Sequence, residues 1–309
     1  MTRRPANLQA SIAARLRNIA RDKQADVAHI LRHYAIERFL YRLSLSDQRD
    51  KFILKGAMLF TAWSSDPFRA TQDLDLLGFG DPNISAVSVS VRKVCLHGIP
   101  DDGVLFDPAT LSAAPIRGSQ EYGGVRVKLA ASLAKIRIPV QIDIGFGDAI
   151  TPAAIEIDFP TLLNDPSPRL KAYPKETVVA EKFQAIVALG EVNTRMKDYY
   201  DLFTLARLFE FDGPVLAAAL RATFERRQTA IPVEPPFGLS HGFASDPRKI
   251  ALWTAFAHRG SLLYDAGNLT ATIESVAEFV MQPATAVATS KAFARQWKPG
   301  GPWRLPRKT

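Results

Sequence analysis

Arg69-Ala70-Thr71-Gln72-Asp73-Leu74-Asp75-Leu76-Leu77-Gly78 is the stretch that decides how the chain reads. Its apolar alternation, stopped by Gly78 and Gly80, predicts a short strand. Side chains alternate across a strand, so Thr71, Asp73 and Asp75 share one face and Leu74 and Leu76 the other. The leucines then face a core, and two acids stand close together on the open face. Like charges that near raise one another's pKa unless a cation lies between them. Magnesium suits the position, because it takes oxygen ligands from one or two carboxylates plus substrate phosphates. The tripeptide alone also fits a solvated strand end, so its neighbours must separate the two readings.

Upstream, Phe52-Ile53-Leu54-Lys55 reads as a buried strand, and a helix is expected to start at Gly56 and run to Trp63. A strand ending in Lys-Gly that opens a helix points N–H groups at an anion or simply makes a tight turn. It is not a phosphate loop of the Gly-x-x-x-x-Gly-Lys-Ser/Thr type. Further upstream, residues 7–21 and 24–43 carry helical apolar stripes, with Arg32, Arg38 and Arg42 beside the second.

Downstream, residues 84–97 fit either a strand, from Val87, Val89 and Val91 alternating with serines, or a helix, from length and the Arg92-Lys93 pair. Val104-Leu105-Phe106 is a strand. Residues 125–129 and 135–147 read as two antiparallel strands joined near Ser132–Lys135. In the second, Asp143 is a lone acid in an apolar run, and a charge there needs a cation, a donor cluster or solvent. It is either structural or a third acid completing a metal cluster with Asp73 and Asp75.

Prolines 152, 160, 166, 168 and 174 end the strand signals, and the domain boundary is expected among them. Helices follow from Lys175 to the glycine stop at Gly190, through 193–203, and around 214–227, 247–264 and 269–281, with a loop at 229–242. On the second of these, Asp198 and Asp201 are three apart and Lys197 and Asp201 four apart, which makes them surface neighbours. The tail from Lys298 is expected to be loosely ordered. The fold class is therefore α+β: N-terminal helices over 1–50, a mixed-sheet domain over 51–165 and a helical C-terminal domain over 170–309.

Of 309 residues, 47% are apolar, enough for a sizeable core. The apolar runs fall well short of the roughly 18 residues of a membrane span. One cysteine, Cys95, excludes an internal disulfide and reads as a buried apolar residue. With no secretory signal pattern at Met1–Pro5, the expected location is cytoplasmic. A net charge of +8 suits a polyanionic partner such as nucleic acid.

Leu54-Lys55-Gly56, Arg69-x-Thr71-x-Asp73-Leu74-Asp75-Leu76, Gln141-Ile142-Asp143-Ile144-Gly145-Phe146-Gly147, Glu181-Lys182 and Arg195-x-Lys197-Asp198-x-x-Asp201-Leu202 occur in that order. Together they resemble the AbiEii/MenT nucleotidyltransferase toxins, of the polymerase-beta-like superfamily, over about residues 45–230. The resemblance implies a nucleotidyltransferase-fold sheet followed by helices. It implies a toxin of a bacterial toxin–antitoxin or phage-defence pair, opposed by a cognate antitoxin. It implies Mg2+-dependent transfer of a nucleotide from an NTP to RNA, with the 3′ end of tRNA as acceptor. By the same resemblance Asp73 and Asp75 are metal ligands and Asp143 the third. Lys182 and Asp198 are further active-site groups, and Lys55, Gly56, Arg69, Thr71 and Asp201 line the nucleotide side. Where relatives have Gly-Gly or Gly-Ser, this chain has Gly56-Ala57, so Thr71 is the expected source of a phosphate-binding hydroxyl. Two other readings stand beside this one: an RNA- or protein-binding module with little turnover, and transfer of a nucleotide to a protein hydroxyl.

Overall fold

The computed structural model describes residues 8–64, 71–116, 123–259, 262–265 and 267–306. It divides into two units, one of residues 1–147 and 155–172, the other of 148–154 and 173–309. In chain order the first unit contributes α1 (Leu8–Asp22), α2 (Val27–Leu45), β1 (Phe52–Lys55), α3 (Met58–Trp63) and β2 (Leu74–Gly78). Then come α4 (Ile84–Leu96), β3 (Val104–Pro115), β4 (Val125–Leu133), β5 (Ile136–Phe146), β6 (Ile155–Asp158) and β7 (Arg169–Ala172).

The strands form one mixed sheet in the order β3-β4-β5-β2-β1-β7-β6. β2 runs parallel to β5, and β1 parallel to β7; the other neighbours are antiparallel. The period-2 pattern of β4 and β5 sets their register. Val125, Val127, Leu129 and Leu133 of β4 and Ile138, Val140, Ile142 and Ile144 of β5 are buried on one face, under α1, α2 and α4. Arg126, Lys128, Gln141 and Asp143 are left on the other. Ala134, at φ 54°, makes the tight turn between the two strands.

Helix α2 starts where Asp26 accepts hydrogen bonds from the Ala28 and His29 N–H groups at 2.6 and 3.3 Å. The arginines beside its stripe are structural. Arg42 grips Asp102 with two bonds of 2.8 and 3.1 Å, and Arg38 donates to the Pro166 carbonyl at 3.1 Å. Arg32 donates to the Pro139 carbonyl. Glu37 accepts from the Leu162 N–H at 2.7 Å. These bonds pin the segments on either side of the sheet to one helix.

Of the two readings of residues 84–97, the helix is the one observed, over Ile84–Leu96: Val87, Val91 and Val94 are buried at helical spacing, whereas Val89 is exposed. Other expectations are corrected. The helix after β1 begins at Met58, with Gly56 and Ala57 forming the turn before it. Two strands, β6 and β7, lie among the prolines where none was expected; the prolines flank them, and β6 is an edge strand. Cys95 is buried as expected, and burial pushes its thiol up to about 12.

The second unit contains α5 (Lys175–Leu189), α6 (Met196–Leu208), β8 (Phe211–Asp212), α7 (Gly213–Arg226), α8 (His241–Ser245), α9 (Pro247–Arg259), α10 (Leu269–Ala288), β9 (Gln296–Trp297) and β10 (Trp303–Arg304). Helices α5, α6, α7 and α10 pack against one another. Residues 298–306 of the tail are ordered rather than loose. Trp297 and Trp303 are buried beside Phe279, and their indoles donate to the Ala206 and Phe279 carbonyls at 2.7 and 2.8 Å. Among the described residues, no helix is long and apolar enough to cross a membrane.

Candidate active site

The sheet register assembles a row of charged side chains on its open face. Lys55 of β1 lies opposite Asp75 of β2, Asp75 opposite Asp143 of β5, and Asp143 opposite Arg126 of β4. Residues directly opposite point to the same face, and neighbouring strands are about 4.8 Å apart, so the four side chains stand shoulder to shoulder. Two acids are flanked by two cations. Asp73 sits in the bend just before β2, on the same side and half-buried. The sequence placed Asp73 within the strand; the strand begins one residue later.

Arg126 and Asp143 are locked together. Arg126 donates from Nε to Oδ1 at 2.9 Å and from Nη2 to Oδ2 at 2.6 Å, a two-pronged charge-assisted pair. The Arg126 pKa is raised, chiefly by that hydrogen bond; desolvation opposes it, and the charges of Asp143, Asp73 and Asp75 add to the rise. The guanidinium is thus a cation on which all three acids act.

Gly56 is shaped around Asp75. It has φ +72°, a conformation that L side chains rarely adopt, and a methyl built on it would stand 2.7 Å from the Asp75 Cβ and Cγ. The glycine is needed because the turn presses its backbone against the carboxylate. Thr71, the expected phosphate-binding hydroxyl, reaches the Asp73 carbonyl at 3.4 Å. Arg69 lies outside the described residues.

Magnesium takes hard oxygen donors, and Asp73 with Asp75 supply the one or two carboxylates it needs beside phosphates. Asp143 is not arranged as a third ligand here, since Arg126 occupies both its oxygens. Among the described residues no three His, Cys, Asp or Glu side chains converge as a metal cage. A cleft of about 410 Å³, lined by Gln48, Lys51, Phe79, Ser90 and Lys93 among others, opens at the far end of β2 and contains none of these acids.

The second unit holds a buried cluster. Lys182 of α5 is 3.0 Å from Asp198 Oδ1 and 2.7 Å from Asp201 Oδ2 on α6, and Arg195 Nε is 2.7 Å from Asp198 Oδ2. Both aspartates are 0% exposed and Lys182 only 12%. Burial pushes the Asp198 pKa up, but Lys182 and Arg195 outweigh it and the net shift is downward. The expected surface pairing is therefore corrected: the helix turns its two acids inward, where they join α6 to α5. Next to it Arg227 binds Asp148, Glu181 and Gln184 at 2.9, 3.2 and 2.9 Å.

Sequence reasoning missed Arg126. Its signal was present: a turn at Ala134-Lys135 puts residue 126 opposite residue 143, but the register had to be fixed before that pairing could be read.

The family model described as nucleotidyl transferase AbiEii toxin, type IV toxin–antitoxin system, matches residues 38–278. No curated protein matches the chain. Among solved structures, JHP933 from Helicobacter pylori is 15% identical, with a TM-score of 0.48 over 85% of this chain and 92% of that one. A second H. pylori structure, provisionally assigned as a nucleotidyltransferase, is 15% identical, with a TM-score of 0.46 over 84% and 95%. With more than two-thirds of its length inside the family match, the chain belongs to the AbiEii nucleotidyltransferase toxins of type IV toxin–antitoxin systems.

Proposed function

We propose that this nucleotidyltransferase moves a nucleoside monophosphate from an NTP to the 3′ end of tRNA, with magnesium as its metal. The observation that carries the reading is the charged row of Lys55, Asp75, Asp143 and Arg126, with Asp73 beside it. Nucleotidyl transfer is an in-line displacement at phosphorus and needs positioning and charge neutralisation more than covalent help. The acceptor oxygen bonds to the α-phosphorus as the α–β bridging bond breaks. Pyrophosphate leaves, and the hydroxyl proton passes to a carboxylate oxygen of the row.

Asp73 and Asp75 would hold magnesium, which when bound would neutralise phosphate charge and sharpen the acceptor hydroxyl as a nucleophile. Gly56 keeps the Asp75 carboxylate in place. Lys55 and Arg126 border the acids as cations for phosphate oxygens, Lys55 as a point charge and Arg126 as a planar fork. Lys182, Asp198 and Asp201 position α5 and α6; lending the Lys182 charge to a triphosphate would require taking it from two buried carboxylates. The net charge of +8 favours an RNA acceptor, and an antitoxin belongs to the system this family defines.

The test is incubation with magnesium, each α-labelled NTP and total RNA. Label should enter RNA of tRNA size and disappear with Asp73→Asn. Label in protein alone would move the acceptor to a protein hydroxyl. Magnesium-independent RNA binding that survives Asp73→Asn, with no incorporation, would reduce the chain to a binding module.

A further inference from the structure

We propose that Arg126 is a positioning residue that keeps a divalent cation off Asp143 until the phosphates of a nucleotide draw the guanidinium away. The inference rests on the reading above, that Asp73 and Asp75 hold the metal.

The pair is built into the sheet. Arg126 and Asp143 are register partners on adjacent antiparallel strands, so they meet without any loop having to order. Both carboxylate oxygens accept from the guanidinium, one from Nε and one from Nη2. A metal ion binding there would meet the positive charge of the guanidinium within a few ångströms.

The two partners differ in freedom. The Arg126 side chain is 41% exposed and that of Asp143 16%. The acid is held by its strand, whereas the guanidinium borders solvent and can turn away by side-chain rotation alone. The planar fork that matches a carboxylate also matches a phosphate, so an arriving triphosphate offers an equivalent partner.

Charge points the same way. Asp73, Asp75 and Asp143 all act electrostatically on the Arg126 guanidinium. Once Arg126 is shared with a phosphate the three acids lose part of a positive charge, and a divalent cation is held more strongly by them. Metal and nucleotide binding are then coupled through one guanidinium, and such coupling is reciprocal.

The test is Mn2+ affinity of the full chain, measured by calorimetry or by loss of the free-ion resonance, without nucleotide and then with a non-hydrolysable NTP analogue. The variants are Arg126→Gln, Arg126→Lys, Asp143→Asn and the double variant Arg126→Gln/Asp143→Asn. A full charge a few ångströms away in a partly exposed site shifts affinity by about tenfold or more. Arg126→Gln should therefore bind Mn2+ at least about tenfold tighter than the parent chain without nucleotide. The gain should vanish against the Asp143→Asn background. The analogue should tighten Mn2+ binding in the parent more than in Arg126→Gln. Equal or weaker Mn2+ binding by Arg126→Gln, or a gain that persists without Asp143, overturns the inference. Should Arg126→Gln not fold, Arg126→Lys decides: it keeps the charge but loses the fork, and a smaller gain supports the inference while none overturns it. None of these measurements needs turnover, so a parent chain that fails to transfer nucleotide defeats the proposed function separately.

Discussion

Replacing Lys182 with methionine removes one charge from a buried cluster while keeping most of the side-chain volume. The ammonium lies 3.0 Å from Asp198 Oδ1 and 2.7 Å from Asp201 Oδ2, and both acids are wholly shielded from solvent. Arg195 also touches Asp198 and is 49% exposed, so solvent screens it. The variant would take from two buried carboxylates the buried cation that touches both. Removing one partner of a buried ion pair costs about 3–5 kcal/mol, because it leaves an uncompensated charge. For a unit of this size that is a fall in melting temperature of roughly 10 °C.

The pH dependence gives the sign. In the parent, Asp198 has a lowered pKa, so its contribution is present above the unfolded value near about 3.9 and is lost as pH falls through the folded value. In the variant, burial without Lys182 raises the carboxylates instead, and stability falls as pH rises. The gap between variant and parent should therefore be larger at pH 8 than at pH 5. Calorimetric melts at the two pH values measure it. A variant melting within about 1 °C of the parent, or a gap that widens at low pH, would refute a structural role for the cluster.

Gly56→Ala should cost about 2–4 kcal/mol, from a left-handed backbone and from crowding of Asp75, and should also lower transfer; a urea titration and the labelled assay read the two effects. Glu37 has its pKa raised to about 7, because burial outweighs Arg38 and the Leu162 N–H. The folded state then binds a proton that the unfolded chain has lost, and stability declines from about pH 4.5 to about pH 7 and levels off above. Glu37→Gln should remove that slope and stabilise the chain at pH 8 by up to about 3 kcal/mol, as denaturation midpoints across pH would show. Deleting residues 296–309 removes Trp297 and Trp303 from their packing on Phe279, each a loss of about 3–5 kcal/mol; proteolysis should then cut the second unit first.

The sheet face was legible where alternation is uninterrupted. β4 and β5 read directly, because every second residue is apolar, mostly Val, Ile or Leu, and the turn between them is short. β3 showed only its first three residues, since a register break between Asp107 and Ser112 disrupts its period. Helix α4 imitated a strand because Val89 is exposed, so an apolar residue stands where the helical pattern predicts a polar one. β6 and β7 were hidden by prolines that lie outside the ladder rather than in it. The acids of the row were named from sequence, but their partners were not. Which cation faces Asp143 depends on register across two strands, and whether Asp198 points inward depends on what packs against α6. Neither is a property of a local window.

The most direct measurement of nucleotidyl transfer at this row compares the fate of two phosphates of one NTP. With α-labelled NTP the label should appear in the acceptor, with γ-labelled NTP it should appear in pyrophosphate, and both signals should vanish with Asp73→Asn. Label from the γ position in the acceptor, or α-label transfer undiminished by Asp73→Asn, would contradict the mechanism.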